Sequence, residues 1–454
     1  MSFKIDKQSI RDIELFPQRK NQASVYSFYN RTVTKGGQEL LYQIFNAPSS
    51  DYEFLTNRIN EINFFFENDC RLKLNSRNID FIEYYLNIRR VPLKANFLDA
   101  TVDGLSNKFS PDNDYFVIKE SIIHITQLII DLDRFIKTAS QLNLTKSFEA
   151  HLNEISDFIS TKTITKLLKD PPEKIQDLSY NQINKIDNYI RIKEKESFRN
   201  LLTIIYEIDF FQTMSGLMKS MGLTLPEYVN DSKPTFKATN SFHPLLEYPV
   251  KNSFEFDDSS NLCFLTGPNM SGKSTFLKTM GLLVYLSHIG LPVPASGLKT
   301  SIFEGLYTTI NLSDDLNLGY SHFYAEVNRV KEIAVMLSSK KNLVIIFDEL
   351  FRGTNVKDAY DASLGIISSL SQIHNNLFFI STHILEVAEN LSNSQSIAFK
   401  CFESELIDHE PVYDFKLKEG ISRERVGMKI LKKENVIQIL DEVIKKQNND
   451  SFMF

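Results

Sequence analysis

The feature that most constrains this chain is a glycine-bounded loop set between a strand and a helix. Asn261-Leu-Cys-Phe-Leu-Thr266 reads as a buried strand. It runs directly into Gly267-Pro268-Asn269-Met270-Ser271-Gly272-Lys273-Ser274-Thr275, and a helical pattern follows from Phe276 to Ile289. This is G-x-x-x-x-G-K-[ST] in the strand, loop and helix setting that the pattern requires. Gly267 and Gly272 permit backbone angles and close approaches that a Cβ would obstruct, so successive N–H groups can face one anion. Lys273 supplies a point charge to β- and γ-phosphates, Ser274 offers a hydroxyl to Mg2+, and the helix N-terminus adds partial positive charge. ATP with Mg2+ is the expected ligand.

Two further strand ends complete that chemistry. Leu343-Val-Ile-Ile-Phe347 is an apolar strand ending in Asp348-Glu349, the layout in which the first acid holds Mg2+ and the second acts as general base on the attacking water. Leu377-Phe-Phe-Ile-Ser381 ends in Thr382-His383, which puts His383 at the carboxyl edge where ligands bind in parallel sheets. Short strands alternating with helical patterns from about residue 236 predict a mostly parallel sheet covered on both faces.

Residues 1–235 have a different texture. Segments such as Ser121 to Leu142 and Ile183 to Met214 place Ile, Leu and Phe at three- and four-residue spacing, and the second, interrupted by a charged turn, suits a long strut or an ordinary helical bundle. Pro226, Asp231 and Pro234 break the helical period, so the expected units are a helical domain over 1–235, an α/β domain over 236–430 and a helical extension over 431–454. In the extension, Val436, Ile437, Ile439, Leu440, Val443 and Ile444 form an apolar stripe that suits a dimer contact or simple packing. The formal net charge of -6 excludes the uniformly positive field of a general nucleic-acid binder. Lys185, Arg191, Lys193, Lys195 and Arg199 are interleaved with Asp187, Glu194 and Glu196, the pattern of a solvated face. Cys70, Cys263 and Cys401 are too scattered for a disulfide framework, so a reducing cytoplasm is the expected setting. No apolar run is long enough to span a bilayer.

With these motifs in order, the sequence resembles the MutS family of DNA mismatch repair ATPases. The resemblance rests on TGPNMSGKST at 266–275, DDLNLGYSHFYAEV at 314–327, FDELFRGTNVKDA at 347–359, STH at 381–383 and LKEGISRERVG at 417–427. It extends to Ile5-Asp6, Ile13-Glu14-Leu15, Arg31-Thr-Val-Thr34-x-Gly36 and Arg58, which look like the opening of the family's core, or lever, domain. The resemblance therefore implies an α-helical core/lever domain followed by an α/β P-loop ATPase domain of ABC type. It also implies a short form that starts where that core starts, without the mismatch-reading and connector domains. Phe65-Phe66-Glu67 has the spelling of the family's mismatch-reading Phe-x-Glu, but it lies in the apolar stretch Ile62 to Phe66, so Phe65 is read as core.

Carried over residue by residue, the resemblance implies a composite site in a homodimer. Ser321 matches the signature serine that reaches the nucleotide of the opposite subunit, although Tyr320 and His322 stand where Arg and Thr are usual. Asp314 or Asp315 would lie near the metal, and Arg352, Gly353, Thr354 and Asp358 match the loop that couples the two sites. Phe254 and Phe415 align with adenine-stacking positions, with ordinary core packing as the alternative for both. The implied function is ATP hydrolysis coupled to binding of mismatched, branched or damaged DNA, with repair or recombination proteins as partners. The alternative is a lever-bearing ATPase that scaffolds or remodels a protein and binds no DNA.

Overall fold

The computed structural model describes residues 3–96, 100–102, 113–169, 178–230, 233–310, 322–351, 354–407, 410–422 and 435–450. Its first half is built of helices: α1 (Lys7–Asp12), α2 (Val25–Tyr29), α3 (Lys35–Phe45), α4 (Tyr52–Glu67), α5 (Ser76–Leu86), α6 (Asn113–Ala139), α7 (Lys146–Ser160), α8 (Lys162–Lys169), α9 (Tyr180–Asn188) and α10 (Lys195–Met221). Local chemistry sets many of the boundaries. Asp6, Asp51, Asn75 and Thr145 each accept a hydrogen bond from a first-turn N–H of the helix that follows, satisfying a donor the helix itself leaves open. Gly222, at φ 65°, ends α10 in the left-handed conformation that glycine adopts without strain. Ile, Leu and Phe from α4 to α10 share one core, and Phe65 packs there against Phe148 at 5.2 Å and Phe211 at 6.2 Å, as its apolar surroundings predict.

The predicted strut is interrupted close to its charged turn. Between α9 and α10 the chain makes a π-helical turn over Tyr189–Lys193, and Glu194 leaves the helical region at φ -118° and ψ 20°. The turn carries a buried ion pair that charge alternation had assigned to a solvated face. Asp187 accepts from Arg191 Nε at 2.7 Å and Nη2 at 2.8 Å, from the Tyr85 hydroxyl at 2.9 Å and from Leu93 N at 2.7 Å. Arg191 also donates to Arg90 O at 2.8 Å. Removing one member of such a pair leaves an uncompensated buried charge, so Asp187→Ala is expected to destabilise the helical half by about 3–5 kcal/mol. A urea titration followed by helical circular dichroism checks this, and a midpoint equal to the parent's would contradict it.

The second half centres on a seven-stranded sheet in the order β1 (Lys4–Ile5), β7 (Gly305–Thr309), β8 (Leu343–Phe347), β9 (Leu377–Ser381), β5 (Leu262–Thr266), β10 (Ile397–Cys401), β13 (Lys418–Glu419). All neighbours are parallel except the β10–β13 pair. Every residue of β5, β8 and β9 is buried, as expected of strands covered on both faces. Alternate residues serve alternate faces. Cys263, Leu265, Val344, Ile346 and Phe379 join the core around α11 (Lys273–His288). Phe264, Ile345, Phe347 and Ile380 join the core formed with α12 (His322–Ser339), α13 (Val356–Leu370) and α14 (Leu385–Leu391). A smaller sheet has the order β2 (Pro226–Val229), β6 (Gly297–Ser301), β3 (Phe236–Ser241), β4 (Asn252–Glu255), and β11 (Ser404–Ile407) pairs with β12 (Glu410–Tyr413).

The two halves share more than the sequence pattern predicts. Lys4 and Ile5 pair with Gly305 and Leu306 at the sheet edge, while Phe3, Ile13, Val25, Tyr29, Leu41 and Phe45 belong to the same core as α11. Residue 235 falls between β2 and β3, two strands of one sheet. Pairings that span hundreds of residues leave no local signature, so a boundary read from periodicity alone misses them. The helical half also takes up the last carbonyls of α11: Ser49 N donates to His288 O at 2.7 Å, Arg58 Nη1 to Ile289 O at 2.7 Å and the Tyr228 hydroxyl to Ser287 O at 2.5 Å. At the chain end, α15 (Val436–Asp450) presents Val436, Ile437, Ile439, Leu440, Val443 and Ile444 to solvent.

Candidate active site

The strand β5 delivers the chain to the glycine loop at the carboxyl edge of the sheet. Gly267 sits at φ 144°, where a Cβ would lie 2.7 Å from the carbonyl oxygen of Phe402. Gly272, at φ 105°, stands before the first turn of α11 and offers no side-chain cap. The first N–H groups of α11 therefore remain directed at the loop, which suits an anion. The Ser271 hydroxyl is buried with no hydrogen-bond partner among the described residues, and Met270 is exposed at φ 67°. Lys273 is 4% exposed, and its ammonium donates to Gly267 O at 2.8 Å and Pro268 O at 3.0 Å. Burial holds its pKa below the ordinary lysine range, against the opposing pull of Glu349 and Asp348.

The strands β8 and β9 bring the two acids and the histidine to the same edge. Burial pushes the Asp348 carboxyl above the ordinary carboxylate range, opposed by hydrogen bonds from the Ser274 and Ser381 hydroxyls. A desolvated carboxylate beside the P-loop hydroxyl is an all-oxygen donor set that a hard divalent cation compensates, so Ser274 and Asp348 fit Mg2+. Glu349 has φ 56°, a conformation costly for a residue with a Cβ, and its Oε1 lies 2.7 Å from His383 Nε2. Thr382 steadies the histidine loop by accepting from Ile384 N at 3.2 Å.

A cavity of about 520 Å³ opens from this cluster, within the range that takes a small-molecule ligand. Asn269, Met270, Gly272, Lys273, Ser274, Thr275 and Glu349 line it together with Tyr248, Val250, Asn252 and Phe415, whose ring lies 3.4 Å from where a Cβ on Gly272 would stand. Phe415 is 42% exposed and is fixed through its backbone: Asn252 Nδ2 donates to Phe415 O at 2.9 Å and Asn252 Oδ1 accepts from Leu417 N at 2.9 Å.

Phe254 does not line this cavity, which corrects its assignment as an adenine contact. Its ring is 3% exposed and packs edge-on against Phe256 at 4.8 Å and also against Phe379 at 5.2 Å, because its position on β4 faces the core. Tyr248, Val250 and Asn252 take its place along the cavity, and the sequence carries no pattern that singles them out. His243 also lines the cavity, and burial lowers its pKa to about 4. Thr354 is half-buried, while Asp358 is exposed in the first turn of α13, where its N–H donates to the capping Asn355 at 2.9 Å. Asp314, Asp315, Ser321, Arg352 and Gly353 lie outside the described residues.

A family model described as MutS domain V matches residues 263–451, which include the phosphate loop, both acids and His383. Over these residues the chain is similar to the MutS family. It is 24% identical to the DNA mismatch repair protein MutS of Petrotoga mobilis, an alignment covering 94% of this chain and 62% of that protein. The MutS proteins of Rickettsia typhi and Anaplasma phagocytophilum are 25% and 29% identical, with 85% and 50% of this chain covered and 54% and 27% of theirs. The chain thus spans roughly a quarter to three-fifths of the length of these curated MutS relatives. No described helix is long and apolar enough to cross a membrane.

Proposed function

We propose that this chain binds and hydrolyses ATP, and that it does so as a homodimer acting on mismatched, branched or damaged DNA in the cytoplasm. The observation that carries the hydrolytic reading is that Lys273, Ser274 and Glu349 line one cavity, with Asp348 hydrogen-bonded to Ser274 and His383 beside Glu349. In this reading residues 236–430 form the P-loop ATPase domain, 1–235 a core/lever-like domain and 431–454 an extension. The loop from Gly267 to Thr275 wraps the phosphates with backbone N–H groups, and Lys273 exchanges its two carbonyl partners for phosphate oxygens. Ser274 and Asp348 hold Mg2+, which supplies charge neutralisation on the β- and γ-phosphates. Glu349, oriented by His383, takes a proton from the attacking water. Phe415 and Tyr248 flank the adenine. Ser321 reaches the nucleotide of the partner subunit, and the loop containing Arg352, Gly353, Thr354 and Asp358 couples the two sites.

The DNA half of the proposal draws on the names of the relatives, which are DNA mismatch repair proteins. The test is ATP turnover with duplex, mismatched and branched DNA across a salt series. Stimulation by one DNA form is expected, with affinity falling steeply as salt rises because phosphate contacts release counterions. Turnover that ignores every DNA would overturn this half and favour a chain that remodels a protein partner.

A further inference from the structure

The geometry points to Ser381 as a positioning residue for both acids of the site, one buried hydroxyl fixing the Asp348 carboxylate and the backbone of Glu349 relative to each other. The inference rests on the ATPase reading above. The strand β9 lies between β8, which carries the acids, and β5, which feeds the phosphate loop, and Ser381 pairs in register with Leu265. Its side chain is fully buried, so it acts through its neighbours and not on a ligand in the cavity.

A serine hydroxyl has one proton to donate and two lone pairs with which to accept. Here Ser381 Oγ donates to Asp348 Oδ1 at 2.5 Å and accepts from Glu349 N at 2.9 Å. The Ser381 carbonyl accepts from Leu350 N at 3.3 Å. The turn after β8 is therefore held at two successive N–H groups, on either side of the Glu349 carboxylate. That anchoring matters because Glu349 occupies a left-handed conformation, φ 56°, that its own side chain disfavours. Without the hydroxyl, the Glu349 N–H loses this hydrogen bond and the Asp348 carboxylate loses a donor. The 2.7 Å approach of Glu349 to His383 is then no longer fixed from behind.

The test compares the parent chain with Ser381→Ala and Ser381→Thr. Steady-state ATP hydrolysis and thermal melting are measured, together with Mn2+ binding by electron paramagnetic resonance in the presence of a non-hydrolysable ATP analogue. Ser381→Ala should lower kcat by about 10–100-fold while ATP KM stays within about three-fold, the signature of lost positioning rather than lost binding. Mn2+ half-saturation should weaken by several-fold, the melting temperature should stay near the parent's, and Ser381→Thr should recover both kcat and Mn2+ binding. Unchanged kcat in Ser381→Ala overturns the inference. A joint fall of kcat, affinity and melting temperature, or a Thr variant as slow as Ala, also overturns it and marks Ser381 as ordinary packing. A parent chain that neither binds nor hydrolyses ATP overturns the ATPase reading itself, and the inference with it.

Discussion

Glu349→Gln is expected to lower kcat for ATP by about 10²–10⁴-fold while leaving ATP affinity within a few-fold of the parent. The amide keeps the size of the carboxylate and can still meet His383 Nε2, 2.7 Å away in the parent. Because the backbone hydrogen bond from Glu349 N to Ser381 Oγ does not involve the side chain, the turn after β8 keeps its shape. What disappears is the basic oxygen that would receive a proton from water. Single-turnover hydrolysis with a fluorescent nucleotide separates the two quantities. A variant that hydrolyses at the parental rate would remove Glu349 from the base role and direct attention to His383.

Lys273→Ala is expected to act on the other quantity, weakening ATP affinity by about 100-fold, equivalent to about 2.7 kcal/mol. The ammonium is buried beside two acids and satisfied only by two loop carbonyls among the contacts described, at 2.8 and 3.0 Å. Phosphate oxygens are better partners for a desolvated cation than neutral carbonyls, so this side chain gains when nucleotide arrives and its loss falls directly on binding. Isothermal titration with ATP and Mg2+ gives the affinity. Parental affinity in Lys273→Ala would sink the phosphate-site reading, whereas Glu349→Gln would not test it.

How much of this could be read from the sequence depends on how local each feature is. The phosphate loop is written in consecutive residues, and β8 and β9 end in acids and a histidine that a parallel sheet brings to one edge. That part of the site was legible. Ser381 appeared only as the last residue of a strand, because its hydroxyl serves residues 32 and 33 positions away in the chain. Phe254 was misplaced because it is one of 35 Phe in the chain, and a short strand with polar flanks does not say which face meets the cavity. Asp187 and Arg191 looked solvated because alternating charge usually is, and burial followed from Tyr85 and Leu93 arriving from elsewhere in the fold. The strand at Lys4 and Ile5 is too short to register as a pattern, yet it closes one edge of the sheet.

The helix α11 begins at the phosphate loop and ends in carbonyls already claimed by Ser49, Arg58 and Tyr228. Its 16 residues span about 24 Å, and it is buried along most of its length. A rod gripped at its far end and surrounded by close-packed side chains has little slack in which to absorb a displacement. A shift imposed at Lys273 is therefore expected to arrive at α4 largely undiminished, so the nucleotide pocket and the helical half share one moving part rather than exchanging signals through a chain of adjustable contacts.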